Sequence, residues 1–320
     1  MAHVPVVDIS ADPRAAGAEL DEICRTAGFF QVIGHGVPDD VTGQAWAMAT
    51  RFFDLPLADK LSVARPAEDY PYGYIPMAGE ALSQPMTGTA PPDLKEVFNA
   101  GPTAPAAHHI ADPDGGWSYS PNLWPAALPE LETAWTAYYA ALHELGARLM
   151  SLLARGLGLP PGFFARLIDQ SPNALRAINY PARDTAPVPG QLRAGAHTDY
   201  GTLTILRQDA VGGLEVLGGD GSWAGVEPVA GAFVINLGDL MARWTNDRWR
   251  STLHRVIDPP GAIARRQSMA YFQNANWSAR IACLPSCLSP GGRPRYEPVL
   301  AGPHLMAKFR RSVAVVPDAG

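Results

Sequence analysis

The sequence predicts an α+β fold in which a helical N-terminal half leads into a double β-sheet or barrel. Two patterns carry that expectation. Apolar residues recur at steps of three and four over residues 13–27, 41–52 and 128–157, the period of one helix face. From Leu175 onward the chain changes to short β-type runs separated by glycine, the texture of several short strands joined by turns. Proline and glycine, 31 of each in 320 residues, are dispersed between these runs and imply frequent turns.

In chain order, Ala18, Leu20, Ile23, Cys24 and Ala27 mark a first helix that Gly28 stops before the strand-like run 29–33. Val41, Ala45, Met48 and Phe52 mark a second, with Asp39 and Asp40 in its first turn, where the helix dipole favours acidic groups. It ends near Pro56. Residues 65–125 are rich in Pro, Gly, Ala and Tyr without sustained period and read as loops, with a short strand near 94–98. Leu131, Trp135, Tyr138, Leu142, Leu145, Leu149 and Leu152 form the clearest helical stripe, opened by Pro129 and closed by Gly158 and Pro160. Strands are then expected at 178–180, 202–206, 214–217, 233–237, 254–257 and 268–272.

Composition narrows the class. With 47% hydrophobic and 18% charged residues the chain is an ordinary globular one, which sets disordered and fibrous classes aside. Lys plus Arg is 25 against 31 Asp plus Glu, a net charge of -6, and no basic run could track a phosphate backbone, so no nucleic-acid partner is expected. Cys24, Cys283 and Cys287 form no C-x-x-C pair and fit a reducing compartment, with the cytoplasm the expected location. No leader is expected at the N-terminus, and no stretch approaches the roughly 18 apolar residues of a membrane span, so no membrane partner is expected either. The expected state is a monomer.

His197 and Asp199 sit two residues apart, and on an extended strand such residues share a face. His254, far downstream in another strand-like run, supplies a third candidate ligand. Two imidazoles and one carboxylate on three corners of an ion leave the opposite positions open, the arrangement of iron(II) oxygenases, although zinc takes the same ligands with one water. Arg266 and Ser268, again at i and i+2, open the next apolar run, and a guanidinium fork beside a hydroxyl suits a carboxylate. Arg265 stands next to it and competes for that role. Phe233, Trp244 and Trp249 read as packing, His35 as a turn residue, and Gly212-Gly213 and Gly218-Gly219 as turns. His108 and His109 form a loop pair without a nearby third ligand.

The motifs GFFQVIGHGV at 28–37, HTDYGTLTIL at 197–206, VGGLEV at 211–216, NLGD at 236–239 and STLHRV at 251–256 occur in order along the chain. Together they resemble the isopenicillin N synthase-like family of iron(II) and 2-oxoglutarate-dependent oxygenases, from about Val4 to about Asn276. The resemblance implies a double-stranded β-helix, or jelly-roll barrel, flanked by helices. It divides the chain into an N-terminal region of the non-haem dioxygenase type (1–125), supporting helices (126–170), the jelly-roll core (171–276) and a C-terminal extension (277–320).

It further implies His197, Asp199 and His254 as iron ligands, with Arg266, Ser268 and Tyr180 on the distal carboxylate of 2-oxoglutarate and dioxygen as second co-substrate. Where plant members often carry asparagine, this chain has Ile178. The family's geometry nominates Tyr72, Tyr74, Phe98, Arg176, Ile178, Phe272 and Asn274 for the substrate wall. The activity implied is oxidative decarboxylation of 2-oxoglutarate coupled to hydroxylation, desaturation or ring formation on a small organic molecule, in secondary metabolism. An iron oxidase of the same family that dispenses with 2-oxoglutarate, a zinc hydrolase and a non-catalytic binding protein remain open alternatives.

Overall fold

The computed structural model describes residues 4–87, 90–103, 114–185, 187–258 and 264–313; His108 and His109 lie outside the described residues. The helices are α1 (Pro13–Thr26), α2 (Asp39–Phe53), α3 (Leu57–Leu61), α4 (Gln84–Thr87), α5 (Glu130–Gly156), α6 (Ala165–Ile168), α7 (Asp239–Trp244) and α8 (Ala301–Val313). The strands are β1 (Val6–Asp8), β2 (Phe29–Ile33), β3 (Gly73–Ile75), β4 (Glu96–Ala100), β5 (Ala174–Tyr180), β6 (Ala194–His197), β7 (Leu203–Gln208), β8 (Leu214–Leu217), β9 (Trp223–Gly225), β10 (Phe233–Leu237), β11 (His254–Val256), β12 (Arg266–Gln273), β13 (Arg280–Ile281) and β14 (Val299–Leu300).

Local chemistry sets the helix ends. Asp12 caps α1 by accepting from the Arg14 and Ala15 backbone N–H groups, and Pro13 takes the first turn, where its missing N–H costs nothing. Gly28 then reverses the chain at φ +63°, and a Cβ there would stand 2.2 Å from the Arg250 carbonyl oxygen. The apolar stripe of α5, from Leu131 through Leu152, is buried, and α5 packs against both α1 and α2.

The major sheet runs β1-β2-β10-β7-β12-β5-β4-β3 and the minor sheet β6-β11-β8-β9. Apart from the parallel β1–β2 edge, neighbours in the major sheet are antiparallel. The period-2 alternation of its strands divides the interior in two. Phe30, Ile205, Ile235, Met269 and Tyr271 face the helices in the larger core. Phe29, Tyr180 and Val234 face Ala194, Leu214, Val216 and Val256 of the minor sheet in a smaller cluster between the sheets. This is the double-sheet barrel that the glycine-broken runs predict.

Some elements carried no readable signal. β6 is Ala-Gly-Ala-His, without the β-branched residues that mark a strand, and β5 begins at Ala174 rather than 178 because Arg176 interrupts its apolar run. In the stretch read as loops, β3 joins the expected β4 at the sheet edge.

Two loops that approach the barrel mouth cross at glycines. The Gly238 N–H donates to Thr202 O at 3.0 Å and the Leu240 N–H to Gly201 O at 3.1 Å, and a Cβ on Gly238 would stand 2.3 Å from that Gly201 oxygen. Gly238→Ala therefore forces two backbones apart. The expected loss is about 1–3 kcal/mol of unfolding free energy in urea titration, and an unchanged midpoint would show that the crossing gives way without cost.

Candidate active site

β6 and β11 are antiparallel neighbours whose register sets His254 directly opposite His197. Side chains opposite one another on such a pair share a face, and the two imidazole centroids lie 4.3 Å apart. Asp199 follows β6 two residues beyond His197, and its Oδ1 lies 3.9 Å from His197 Nε2 and 3.8 Å from His254 Nε2. The ligand-type atoms of the three residues all fall within 4.8 Å of one another.

Hydrogen bonds aim these atoms inward. Each ring sets Nδ1 against the carbonyl two residues before it, His197 against Gly195 at 2.8 Å and His254 against Thr252 at 3.1 Å. A carbonyl only accepts, so Nδ1 carries the proton and Nε2 keeps its lone pair for the common centre. Asp199 Oδ2 accepts from Asn236 Nδ2 at 2.7 Å and from the Thr204 hydroxyl, which leaves Oδ1 toward the imidazoles. The Asp239 N–H fixes the Asp199 carbonyl at 2.8 Å, while the Asp239 carboxylate accepts from Thr198 at 3.2 Å and from Lys308 of α8 at 2.5 Å.

Burial, reinforced by the neighbouring His254, pushes His197 from 6.5 down to about 3, so the ring is neutral at physiological pH. Burial opposes the charge on Asp199, but the two imidazoles and the bonds from Asn236 and Thr204 hold its carboxyl below the usual range. Two imidazole nitrogens beside one ionised carboxylate are the donor set of a divalent transition metal, and three protein ligands leave coordination positions free. The group could hold such an ion.

In front of it lies a cavity of about 500 Å³, within the range of small-molecule sites. Strand register explains its wall. On β5 and β12 the opposed pairs Tyr180–Arg266, Ile178–Ser268, Arg176–Ala270 and Ala174–Phe272 all face it. Arg266 is 1% exposed. Its guanidinium donates to Gly212 O at 2.9 Å, Ser268 Oγ at 3.2 Å and Gln208 Oε1 at 3.2 Å, and lies 4.9 Å from the centre of the Tyr180 ring. Among the described residues no carboxylate pairs with it. Arg265 turns outward to Asn179 and Asp54, which removes it from the competition.

Residues 172–275 match the 2OG-Fe(II) oxygenase superfamily, and residues 4–127 match the family described as non-haem dioxygenase in morphine synthesis N-terminal. The chain belongs to the iron(II) and 2-oxoglutarate-dependent oxygenases. It is 34% identical to the 2-oxoglutarate-Fe(II) type oxidoreductase hxnY of Emericella nidulans, over 96% of this chain and 90% of that one. It is 36% identical to Validamycin A dioxygenase of Streptomyces hygroscopicus subsp. limoneus, over 95% and 85%. Among solved structures, a full-length Neurospora crassa protein in complex with alpha-KG superposes with TM-score 0.84 at 30% identity, covering 96% of this chain and 95% of that one. The chain is therefore an oxidoreductase of the isopenicillin N synthase-like kind that works with Fe(II) and 2-oxoglutarate.

Of the residues nominated for this oxygenase's substrate wall, Tyr72, Arg176, Ile178, Phe272 and Asn274 line the cavity. Tyr74 and Phe98 do not. They oppose one another across β3 and β4 on the helix-facing side, where Phe98 packs on Phe52 and Trp135 and the Tyr74 hydroxyl donates to Glu96 at 2.5 Å. The alternation of β4 sends Lys95 and Asn99 into the cavity instead. The family resemblance had nominated Tyr74 and Phe98; the register of β3 on β4 turns both to the other face.

A buried polar network missed by sequence reasoning fills that end of the cavity. Arg176 forks onto Glu80 at 3.0 and 3.1 Å and donates to Asn99 at 2.7 Å. Lys95 pairs with Asp93 at 2.7 Å and Glu80 at 3.3 Å. The second Asp93 oxygen accepts the Gly195 N–H at 2.9 Å, tying the network to β6. Leu305 and Phe309 of α8 close another side.

Burial opposes the charge on Glu80, but Arg176 and Lys95 outweigh it and hold its carboxyl at about 2 against an ordinary 4.5. A depressed carboxyl stabilises the fold above its unfolded pKa, and that stability is lost as pH falls from about 4.5 through about 2. Glu80→Gln is expected to flatten the unfolding free energy across this window. Equal acid slopes for variant and wild type would remove Glu80 as the cause.

Proposed function

We propose that His197, Asp199 and His254 hold the Fe(II) of this oxygenase, and that Arg266, with Ser268 and Tyr180, takes the distal carboxylate of 2-oxoglutarate. A small organic molecule is then oxidised in the remaining space. The observation that carries this reading is the buried Arg266 guanidinium, lacking a carboxylate partner among the described residues and facing the same cavity as the three ligand side chains. A buried cation without a counter-charge is costly, and a dicarboxylate anchored at both ends would satisfy it.

When bound, the iron supplies activation of dioxygen, coupled to decarboxylation of 2-oxoglutarate. The protein's own share is positioning and dryness. The Gly195 and Thr252 carbonyls hold each Nε2 toward the centre, and Asn236 and Thr204 keep Asp199 in one rotamer. Ser268 and the Tyr180 ring brace the guanidinium. Phe29, Leu206, Leu214 and Val256 give the chamber its apolar lining, which excludes water from the reacting atoms.

Similarity to a dioxygenase named for validamycin A supports a free small molecule as substrate, and we place the enzyme in secondary metabolism. The three free cysteines support a reducing cytoplasm, and among the described residues no helix is long and apolar enough to cross a membrane. We read the working unit as a monomer without a nucleic-acid partner.

Anaerobic addition of Fe(II) and 2-oxoglutarate is expected to raise a visible charge-transfer band in the wild type and none in His197→Ala. Arg266→Ala is expected to weaken 2-oxoglutarate by about tenfold to a hundredfold, the loss of a charge-assisted bond. Product formation undiminished without 2-oxoglutarate would falsify the assignment.

A further inference from the structure

The cavity has a second cationic end, away from Arg266. Arg176 and Tyr180 lie on one face of β5, about 13 Å apart at strand rise, with Ile178 between them and Ala270 and Phe272 opposite on β12. Around Arg176 the wall carries Arg65 and Lys95 as well, against the carboxylates of Glu80 and Asp93. Those two carboxylates are consumed by Arg176 and Lys95.

Arg65 is left over. Of its five N–H bonds one donates to the Glu68 carbonyl at 3.0 Å; among the described residues no acceptor takes the others, and Glu80 and Glu68 attract it through space without forming an ion pair. It is held in place by the strand edge, where its backbone N–H donates to Tyr74 O at 3.4 Å. The Glu68 side chain stands exposed at the mouth, where solvent screens its charge. Burial pushes the Arg65 guanidinium below its ordinary range, an effect that a bound anion would relieve.

Resting on the assignment of Arg266 to 2-oxoglutarate, we infer that Arg65 is the recognition group for the prime substrate, a small organic carboxylate. Its acid group pairs with Arg65 at the far end of the cavity, and its apolar body lies along Ala270, Phe272 and Ile178. The Glu80–Arg176–Lys95 network does not bind the acid. It keeps two cations neutralised, so that a single positive charge remains and one negative charge is selected. A cationic substrate would meet the one uncompensated charge, Arg65, and is disfavoured.

The test is binding to the full chain loaded with Fe(II) and saturating 2-oxoglutarate under anaerobic conditions. The probes are cyclohexanecarboxylate, phenylacetate and indole-3-acetate, each against its own primary amide, read by calorimetry and by perturbation of the visible band. The acids are expected to bind and the amides to bind at least about tenfold more weakly, the difference a charge-assisted bond makes. Arg65→Gln is expected to erase the preference, Arg65→Lys to retain part of it, and both to keep the wild-type affinity for 2-oxoglutarate. Thermal melting establishes that each variant is folded. Amides binding as well as acids, no acid binding at millimolar concentration, or a preference that survives Arg65→Gln overturns the inference. Loss of 2-oxoglutarate binding in Arg65→Gln instead of Arg266→Ala would show that the two arginines had been assigned the wrong way round.

Discussion

The register between β6 and β11 is the constraint on which the rest of the structure depends. It sets His197 and His254 side by side, and a slip of one residue would turn His254 away from the cavity and into the sheet's other face. That register is not fixed by the two short strands themselves. It is imposed by β8 on the far side of β11, by Asp93 gripping the Gly195 N–H, and by the Thr252 hydroxyl, which donates to the Ala27 carbonyl at 2.5 Å. A barrel built largely from the major sheet thus places a pair of imidazoles that the minor sheet alone would hold loosely.

Charge inside the barrel is arranged with the same economy. The buried carboxylates near the centre are held by donors: Asn236 and Thr204 on one oxygen of Asp199, and on Asp93 the Gly195 N–H at one oxygen with the Leu82 N–H and Lys95 at the other. The cations follow another rule. Arg176 and Lys95 are neutralised within the wall, whereas Arg266 and Arg65 reach the cavity without acidic partners among the described residues. Uncompensated guanidinium groups at the wall of a largely apolar chamber cost stability in the empty protein, a cost that a bound anion would recover.

How much of this was legible in the sequence varied with the kind of signal. The long stripes of α1, α2 and α5 repeat over several turns and survive noise. The strands β8 and β10 are bracketed by turn residues and could be read to the residue. β6 could not, because Ala-Gly-Ala-His has no propensity of its own and is a strand only through its neighbours. At the centre, spacing and residue type nominated His197, Asp199 and His254, since ligand chemistry restricts which side chains can serve, while Arg266 was preferred to Arg265 only through the family resemblance. Glu80, Lys95 and Arg65 left no such trace. They come from a stretch without period and gather around Arg176 of β5, a long-range event that no local window contains.

The C-terminal helix adds a different kind of control. Leu305 and Phe309 of α8 form part of the chamber's boundary, and the Phe309 ring packs tilted against Trp117 with centroids 4.7 Å apart, while Lys308 reaches Asp239 and through it the loop bearing Asp199. This final helix is thus a threshold. Divergence in α8 can change which molecules are admitted while His197, Asp199, His254 and Arg266 stay as they are, so new selectivity in descendants of this chain can begin at this helix.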